Sequence, residues 1–271
     1  MNGRVLVIAG SDSGGGAGIQ ADIKAVTALG GYAMTAVTAL TAQNTQGVFG
    51  VVGIEPAFIA QQIELCLADI GADCLKTGML HAAPVIEAVV AAIEAHGGRI
   101  PLVADPVMVA KGGHPLLEAD AVETLKARLL PRATVLTPNL PEAEALSGRT
   151  IGDLGAQKAA AEALRALGPE AVLLKGGHRE APVIQDVLAT PDGTEVLESP
   201  RIDTAHTHGT GCTLASAIAT GLAQKMGLRD AVVRARAYVH EAIRTAPRLG
   251  QGHGPLNHGH TVAPFPPPSE G

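Results

Sequence analysis

The chain has 271 residues, 46% hydrophobic and 17% charged, which is enough apolar surface to fill a large buried sheet and excludes a disordered chain. A net charge of −6, only 2% aromatic residues and no run of Lys or Arg leave neither a footprint for nucleic acid nor a tail for an anionic membrane. A small molecule is the partner that these numbers leave.

In chain order, Met1–Ala9 carries one Arg and then five apolar residues, so it reads as a first strand and not as a signal peptide. The Gly-rich turn Gly10–Gly18 follows and opens a helix containing Gln20, Asp22 and Lys24. Its place is that of a dinucleotide turn, but its spacing is not GxGxxG, and the chain holds no GxxxxGK[ST]. These glycines, beginning with Gly10, therefore shape a turn that faces a substrate. Tyr32–Gly53 is β-rich and Gly-punctuated, as expected of accessory strands or a flap. Three apolar stripes then predict helices: Phe58, Ile59, Ile63, Leu67 and Ile70; Val85, Ile86, Val89, Val90 and Ile93; and Leu117, Ala121, Val122, Leu125 and Leu129.

Between and after these stripes, the unbroken apolar runs Leu102–Ala104, Val135–Leu136 and Ala171–Leu174 match strands buried on both faces. Val183–Glu198 reads as a hairpin turning near Pro191-Asp192-Gly193. Strand alternates with helix, which predicts a mainly parallel sheet covered by helices on both sides. No repeat or long linker marks a second domain, so residues 1–262 form a single domain and residues 263–271 a Pro-rich tail. Cys66, Cys74 and Cys212 fit free thiols in a reducing compartment, and no apolar stretch approaches the ~18 residues of a membrane span, so the cytoplasm is the expected location.

Chemistry concentrates at the ends of these strands. In His208-Gly209-Thr210-Gly211-Cys212-Thr213 a glycine turn meets a helix start, where unpaired N–H groups and the helix dipole make a site for an anion. A glycine-rich cap without a ligand is the plainer alternative. Cys212 stands where a helix N-terminus lowers a thiol pKa, so it is a candidate base; a nearby triphosphate pushes the other way, and simple packing competes with both. Asp105, Asn139 and Glu142 follow two strands and offer oxygen ligands suited to Mg²⁺, although Asn139 and Glu142 also have capping-box spacing. Lys175, at the next strand end, is placed to meet phosphates, unless it is merely a solvated lysine. The pairs His206/His208 and His258/His260 lack an obvious third ligand, and tail histidines of this kind are usually solvent-exposed, so no metal is assigned to them.

The turn Gly10–Gly18, Ala39-Leu40-Thr41-Ala42-Gln43-Asn44-Thr45, Lys76-Thr77-Gly78-Met79-Leu80, Asp105-Pro106-Val107-Met108, Thr137-Pro138-Asn139-Leu140-Pro141-Glu142, Lys175-Gly176-Gly177-His178, the segment Thr207–Thr213 and the closing Gly250–His258 stand in one order. Together they closely resemble bacterial hydroxymethylpyrimidine/phosphomethylpyrimidine kinases of the ribokinase-like superfamily. The resemblance implies a three-layer α/β/α fold, usually a homodimer, that uses ATP and Mg²⁺ to phosphorylate 4-amino-5-hydroxymethyl-2-methylpyrimidine and then its monophosphate for thiamine synthesis. It makes Gln43 the pyrimidine reader, with Asp22, Met79, Val107 and Gly10 beside it. It makes Gly209, Thr210, Gly211 and Cys212 the phosphate turn with Lys175, and Asn139, Glu142 and Asp105 the organisers of Mg²⁺. Where relatives carry Ser-Asp-Pro-Ser-Gly-Gly-Ala-Gly, this chain has Ser13 in place of the proline, so a more flexible turn is expected. The rival readings are a pyridoxal kinase of the same cysteine-bearing branch and, from another class, a non-catalytic pyrimidine sensor. A nicotinamide oxidoreductase is disfavoured by the missing dinucleotide spacing.

Overall fold

Short apolar runs without polar alternation bury both faces of a strand, and a computed structural model describing residues 1–109, 113–118, 120–263 and 265 shows where they go. The strands are β1 Arg4–Asp12, β2 Tyr32–Asn44, β3 Gly47–Gly53, β4 Cys74–Thr77, β5 Leu102–Ala104, β6 Val135–Leu136, β7 Ala171–Leu174, β8 Val183–Thr190 and β9 Gly193–Pro200. They form one sheet in the order β3-β2-β1-β4-β5-β6-β7-β8-β9. β2 through β7 run parallel, and β3, β8 and β9 pair antiparallel at the two edges. The regions anticipated as a flap are thus the sheet's own margins.

The helices are α1 Gly18–Ala28, α2 Pro56–Asp69, α3 Ala83–Ala92, α4 Ala121–Thr124, α5 Leu140–Ser147, α6 Leu154–Arg165, α7 Thr210–Ala223 and α8 Leu228–Arg244. Alternate residues of β1 divide the core. Leu6 and Ile8 pack with Ile59, Ile63, Val89 and Leu164 from α2, α3 and α6, whereas Val5, Val7 and Ala9 pack with Val26, Ile218 and Val239 from α1, α7 and α8. Sheet between two helical layers is the three-layer arrangement expected.

Local differences from the sequence reading have physical reasons. Phe58 and Ile70 stay 56% and 38% exposed, because they flank the narrower stripe of Ile59 and Ile63 that α2 buries. Leu117 is buried but precedes α4, which starts at Ala121 and continues as a π turn over Leu125–Leu129. β4 went unread because Lys76 and Thr77 occupy half of its four residues, yet all four are buried. The Pro-rich tail expected over residues 263–271 rests on Pro264 and Pro266 to Pro268, which lie outside the described residues. Among the described residues no helix is long and apolar enough to cross a membrane.

Lys76 is the unusual member of this core. Its side chain is fully buried, and its Nζ lies 2.9 Å from both carboxylate oxygens of Asp22, which is equally buried on α1. Ser216 on α7 donates a 2.7 Å bond to the same carboxylate. Burial alone would strip the charge from Lys76, but Asp22 outweighs it and holds the ammonium protonated. One ion pair, with the Ser216 bond, therefore bolts α1, α7 and β4 together at a depth where neither charge has another ion-pair partner among the described residues. Removing one member leaves the other uncompensated, so Asp22→Leu is expected to cost about 3–5 kcal/mol in urea unfolding, and the double variant Asp22→Leu/Lys76→Met to recover most of that loss.

Candidate active site

β1 has β2 on one side and β4 on the other, so the chain reverses its winding there, and ligands bind beyond the carboxyl ends of strands at such a point. Gly10 and Asp12 end β1, Met79 follows β4, Asp105 follows β5, Asn139 follows β6 and Lys175 follows β7. All of them stand at the carboxyl edge of the parallel strands.

The N-terminus of α7 reaches that edge. Its cap, Gly209, is left-handed with φ 83° and sits against the Gly16 carbonyl, where any Cβ would overlap. Thr210 turns both its N–H and its hydroxyl to Thr207 O, at 3.3 and 2.7 Å, and the first helical bond runs from Thr213 N to Gly209 O. The N–H groups of Gly211 and Cys212 find no acceptor among the described residues, as the sequence reading of an anion turn requires. A Cβ on Gly211 would lie 3.3 Å from Lys175 Nζ and 3.5 Å from Asp105 Oδ2, so the missing side chain keeps space open between the amides and these charges.

Asp105 Oδ1 accepts from Lys175 Nζ at 3.0 Å and from the Thr137 hydroxyl at 3.0 Å. Burial works against the Lys175 charge, but Asp105 and Glu142 outweigh it and keep the ammonium protonated. Asn139 caps α5 by accepting from Glu142 N at 2.9 Å, and Glu142 returns a bond to Asn139 N at 2.8 Å. The capping reading and the ligand reading thus fall on the same pair, with Asn139 Oδ1 committed to the cap. Burial, with Asp105 adding to it against the pull of Lys175, pushes the Glu142 carboxyl up to about 7. Two carboxylates facing one lysine are short of positive charge, and hard oxygen donors of this kind fit Mg²⁺ that keeps most of its waters. No cage of three or more His, Cys, Asp or Glu side chains exists among the described residues.

Cys212 departs from expectation. The helix terminus was to lower its pKa, but burial, reinforced by Asp22 and Asp105, pushes the thiol up to about 11 against the pull of Lys76 and the Gly18 N–H. At rest the sulfur is a thiol.

The substrate-facing residues divide. Met79 is buried, and its sulfur lies 3.0 Å from where a Cβ on Gly10 would stand, so Gly10 serves to seat Met79. Val107 is half-buried beyond Asp105. Asp22 does not reach the crevice wall, because it is spent on Lys76 and Ser216. Gln43 meets His208 at 3.0 Å, and the same His208 nitrogen lies 2.9 Å from Asp12 Oδ2. Ser13 donates from its hydroxyl to Gln43 O and accepts from Gln43 N, both at 2.9 Å. The serine thus ties the turn to β2 and offsets the looseness expected from the absent proline.

Sequence reasoning gives Asp12, His208 and Lys76 no individual role within their motifs, although the Asp12-Ser13-Gly14 spacing is a signal for an aspartate that folds the turn onto its own carboxylate. Asp12 accepts from Gly14 N, Gly16 N and Ala17 N at 2.8–3.0 Å. His258 was taken for a solvent-exposed tail residue; it is buried, with Nε2 2.9 Å from the Thr213 hydroxyl on α7. A cavity of about 230 Å³ opens beside the phosphate turn between Ile202, Thr204, His206, Ile243 and Arg248.

The family described as phosphomethylpyrimidine kinase matches residues 12–257. The thiamine biosynthesis bifunctional protein ThiED of Geobacter sulfurreducens is 53% identical over 94% of this chain and 52% of its own length, so the chain spans about half of that protein. The hydroxymethylpyrimidine/phosphomethylpyrimidine kinase of Bacillus subtilis is 46% identical over 94% of both chains. An ADP complex of Bacillus subtilis pyridoxal kinase superposes with a TM-score of 0.87 at 36% identity, over 96% of this chain and 98% of that one.

Burial pushes His258 down to about 4, below the 6.5 of a free histidine. The unfolded chain therefore takes up a proton that the folded chain refuses, so this contribution is full above pH 6.5 and fades as pH falls toward 4. The stability gap between the wild type and His258→Gln is expected to narrow by about 2–3 kcal/mol between pH 7 and pH 4, measured by urea titration at each pH.

Proposed function

The chain belongs to the phosphomethylpyrimidine kinase family, whose members are phosphotransferases, and from that premise we propose that it phosphorylates 4-amino-5-hydroxymethyl-2-methylpyrimidine, and then its monophosphate, with ATP in thiamine biosynthesis. The observation that carries this reading is the pair of free amides at Gly211 and Cys212, facing Lys175 across a space without a side chain. The hydroxymethyl oxygen attacks the γ-phosphorus in line, the bond to the β–γ bridging oxygen breaks, and ADP leaves with its electron pair. Lys175 and the amides of Gly211 and Cys212 hold the charge on the transferring group, and positioning with electrostatics supplies most of the acceleration.

The Cys212 thiol first gives its proton to solvent, the resulting thiolate takes the proton of the attacking hydroxymethyl group, and Gln43 holds the ring with Met79 and Val107. The adenine occupies the cavity beside Ile202 and Ile243, one chain segment away from the phosphate turn. Asp105 and Glu142 would hold Mg²⁺, through its waters, and the ion supplies charge neutralisation to the phosphates. A second copy of the chain covers the β2–β3 hairpin, where the cross-strand partners Leu40 and Val52 remain 48% and 65% exposed and Phe49 72% exposed. Three free cysteines support a reducing compartment such as the cytoplasm.

Mass spectrometry of reactions holding ATP, Mg²⁺ and either hydroxymethylpyrimidine, its monophosphate or pyridoxal is expected to show pyrimidine mono- and diphosphate as the preferred products. A strong preference for pyridoxal would refute the substrate, and ATP consumption without any phosphorylated ring would point to the sensor. Cys212→Ala is expected to lose about 10²–10⁴ in kcat with ATP binding kept. With the thiol near 11, wild-type kcat should rise with pH from 7 to 9 and the variant's should stay flat; a parallel rise in both removes the base role.

A further inference from the structure

Gln43 Nε2 and His208 Nε2 lie 3.0 Å apart, and that contact decides which way the amide points. An amide nitrogen only donates, so this contact requires His208 Nε2 to accept. The same His208 nitrogen, however, lies 2.9 Å from Asp12 Oδ2. Burial pushes the Asp12 carboxyl up, but the His208 bond and the N–H groups of Ala17 and Gly14 outweigh it, so Asp12 is an ionised acceptor. His208 Nε2 therefore carries a proton, and the Gln43 atom that faces it is the carbonyl oxygen.

The far end of the amide gives the same answer independently. Thr41 Oγ1 lies 2.9 Å from Ser11 O and 3.2 Å from the other amide atom of Gln43. A hydroxyl has one proton, and the Ser11 carbonyl can only accept, so Thr41 turns a lone pair to Gln43 and the atom there is nitrogen. Amide orientation is fixed by the hydrogen-bond network, and both ends of this network choose one orientation. Gln43 Oε1 then shares the single His208 Nε2 proton with Asp12 Oδ2, one amide hydrogen goes to Thr41, and the second has no acceptor among the described residues.

We propose that His208 is a specificity-determining positioning residue, which with Asp12 and Thr41 locks Gln43 so that a free amide N–H faces the crevice and selects a ring presenting an unprotonated nitrogen. Ser13 completes the lock by gripping the Gln43 backbone through its N–H and its carbonyl. His208 also adjoins Gly209, so one imidazole ties the ring reader to the phosphate turn. The inference rests on the reading that Gln43 contacts the ring.

The test is steady-state kinetics with hydroxymethylpyrimidine and with its deaza analogues, in which a ring nitrogen becomes CH, each at varied ring compound and varied ATP. His208→Leu removes the donor at similar volume and is expected to raise the KM for the pyrimidine about 10- to 100-fold, with the KM for ATP within about threefold. It should also erase most of the wild-type discrimination between the pyrimidine and the deaza analogue that the wild type rejects. His208→Gln restores an N–H near the Nε2 position and should recover most of the loss. Should His208→Leu fail to fold, Thr41→Val removes the other anchor and is expected to raise the pyrimidine KM about 3- to 10-fold with ATP unaffected. Discrimination left intact, or the two KM values rising together, overturns the lock. Gln43→Ala separates the two ideas: a raised pyrimidine KM there with none in the anchor variants sinks the lock alone, whereas no change in Gln43→Ala sinks the placement of the ring and the lock with it.

Discussion

A lysine and an aspartate that see no solvent set the geometry of the crevice. The desolvation cost of Lys76 and Asp22 is met only while the two are in contact, so α1, α7 and β4 are held in a register that admits little sliding. Gly18 and Asp22 are one turn apart on α1, and Cys212 and Ser216 are one turn apart on α7. With Asp22 bonded to Ser216, Gly18 is set opposite Cys212, and the loops ahead of both helices close on each other at Gly16 and Gly209. A β-carbon at either of those glycines would force the loops apart and carry the amides of Gly211 and Cys212 with them.

Charge around this frame is nearly balanced. Asp22, Asp105 and Glu142 face Lys76 and Lys175, and burial, with Asp105 adding to it against the pull of Lys175, raises the pKa of Glu142. On the proposed function, a phosphate entering here would be held less by net positive charge than by the N–H groups of Gly211 and Cys212, which have no acceptor among the described residues. Preorganised dipoles of this sort need not reorient when a phosphoryl group arrives, and that separates them from mobile surface lysines.

How much of this was legible in the sequence follows from the range of each interaction. Apolar runs and glycine turns are local signals, and they mark β1, β5, β6, β7, the β8–β9 hairpin and the glycine turn that starts α7. Asn139 and Glu142 are three residues apart, and their capping box was visible for that reason. Lys76 was quoted within a motif but had no visible role, because its partner Asp22 is 54 residues away and nothing between them signals the pairing. His208 and Gln43 are separated by 165 residues, and only the folded crevice shows that they touch. The family resemblance implies Asp22 beside the ring; in the fold its carboxylate is bonded to the buried Lys76 ammonium and to Ser216. The Cys212 error was one of magnitude: a helix dipole lowers a thiol pKa, but two nearby carboxylates and burial raise it by more.

That last balance has a chemical corollary. Peroxides and alkylating electrophiles attack sulfur as the anion, and a group titrating near 11 offers them only about one molecule in ten thousand at neutral pH. The acidic surroundings that weaken Cys212 as a resting base also make it durable, sparing the crevice a sulfenic acid in a cell under oxidative stress.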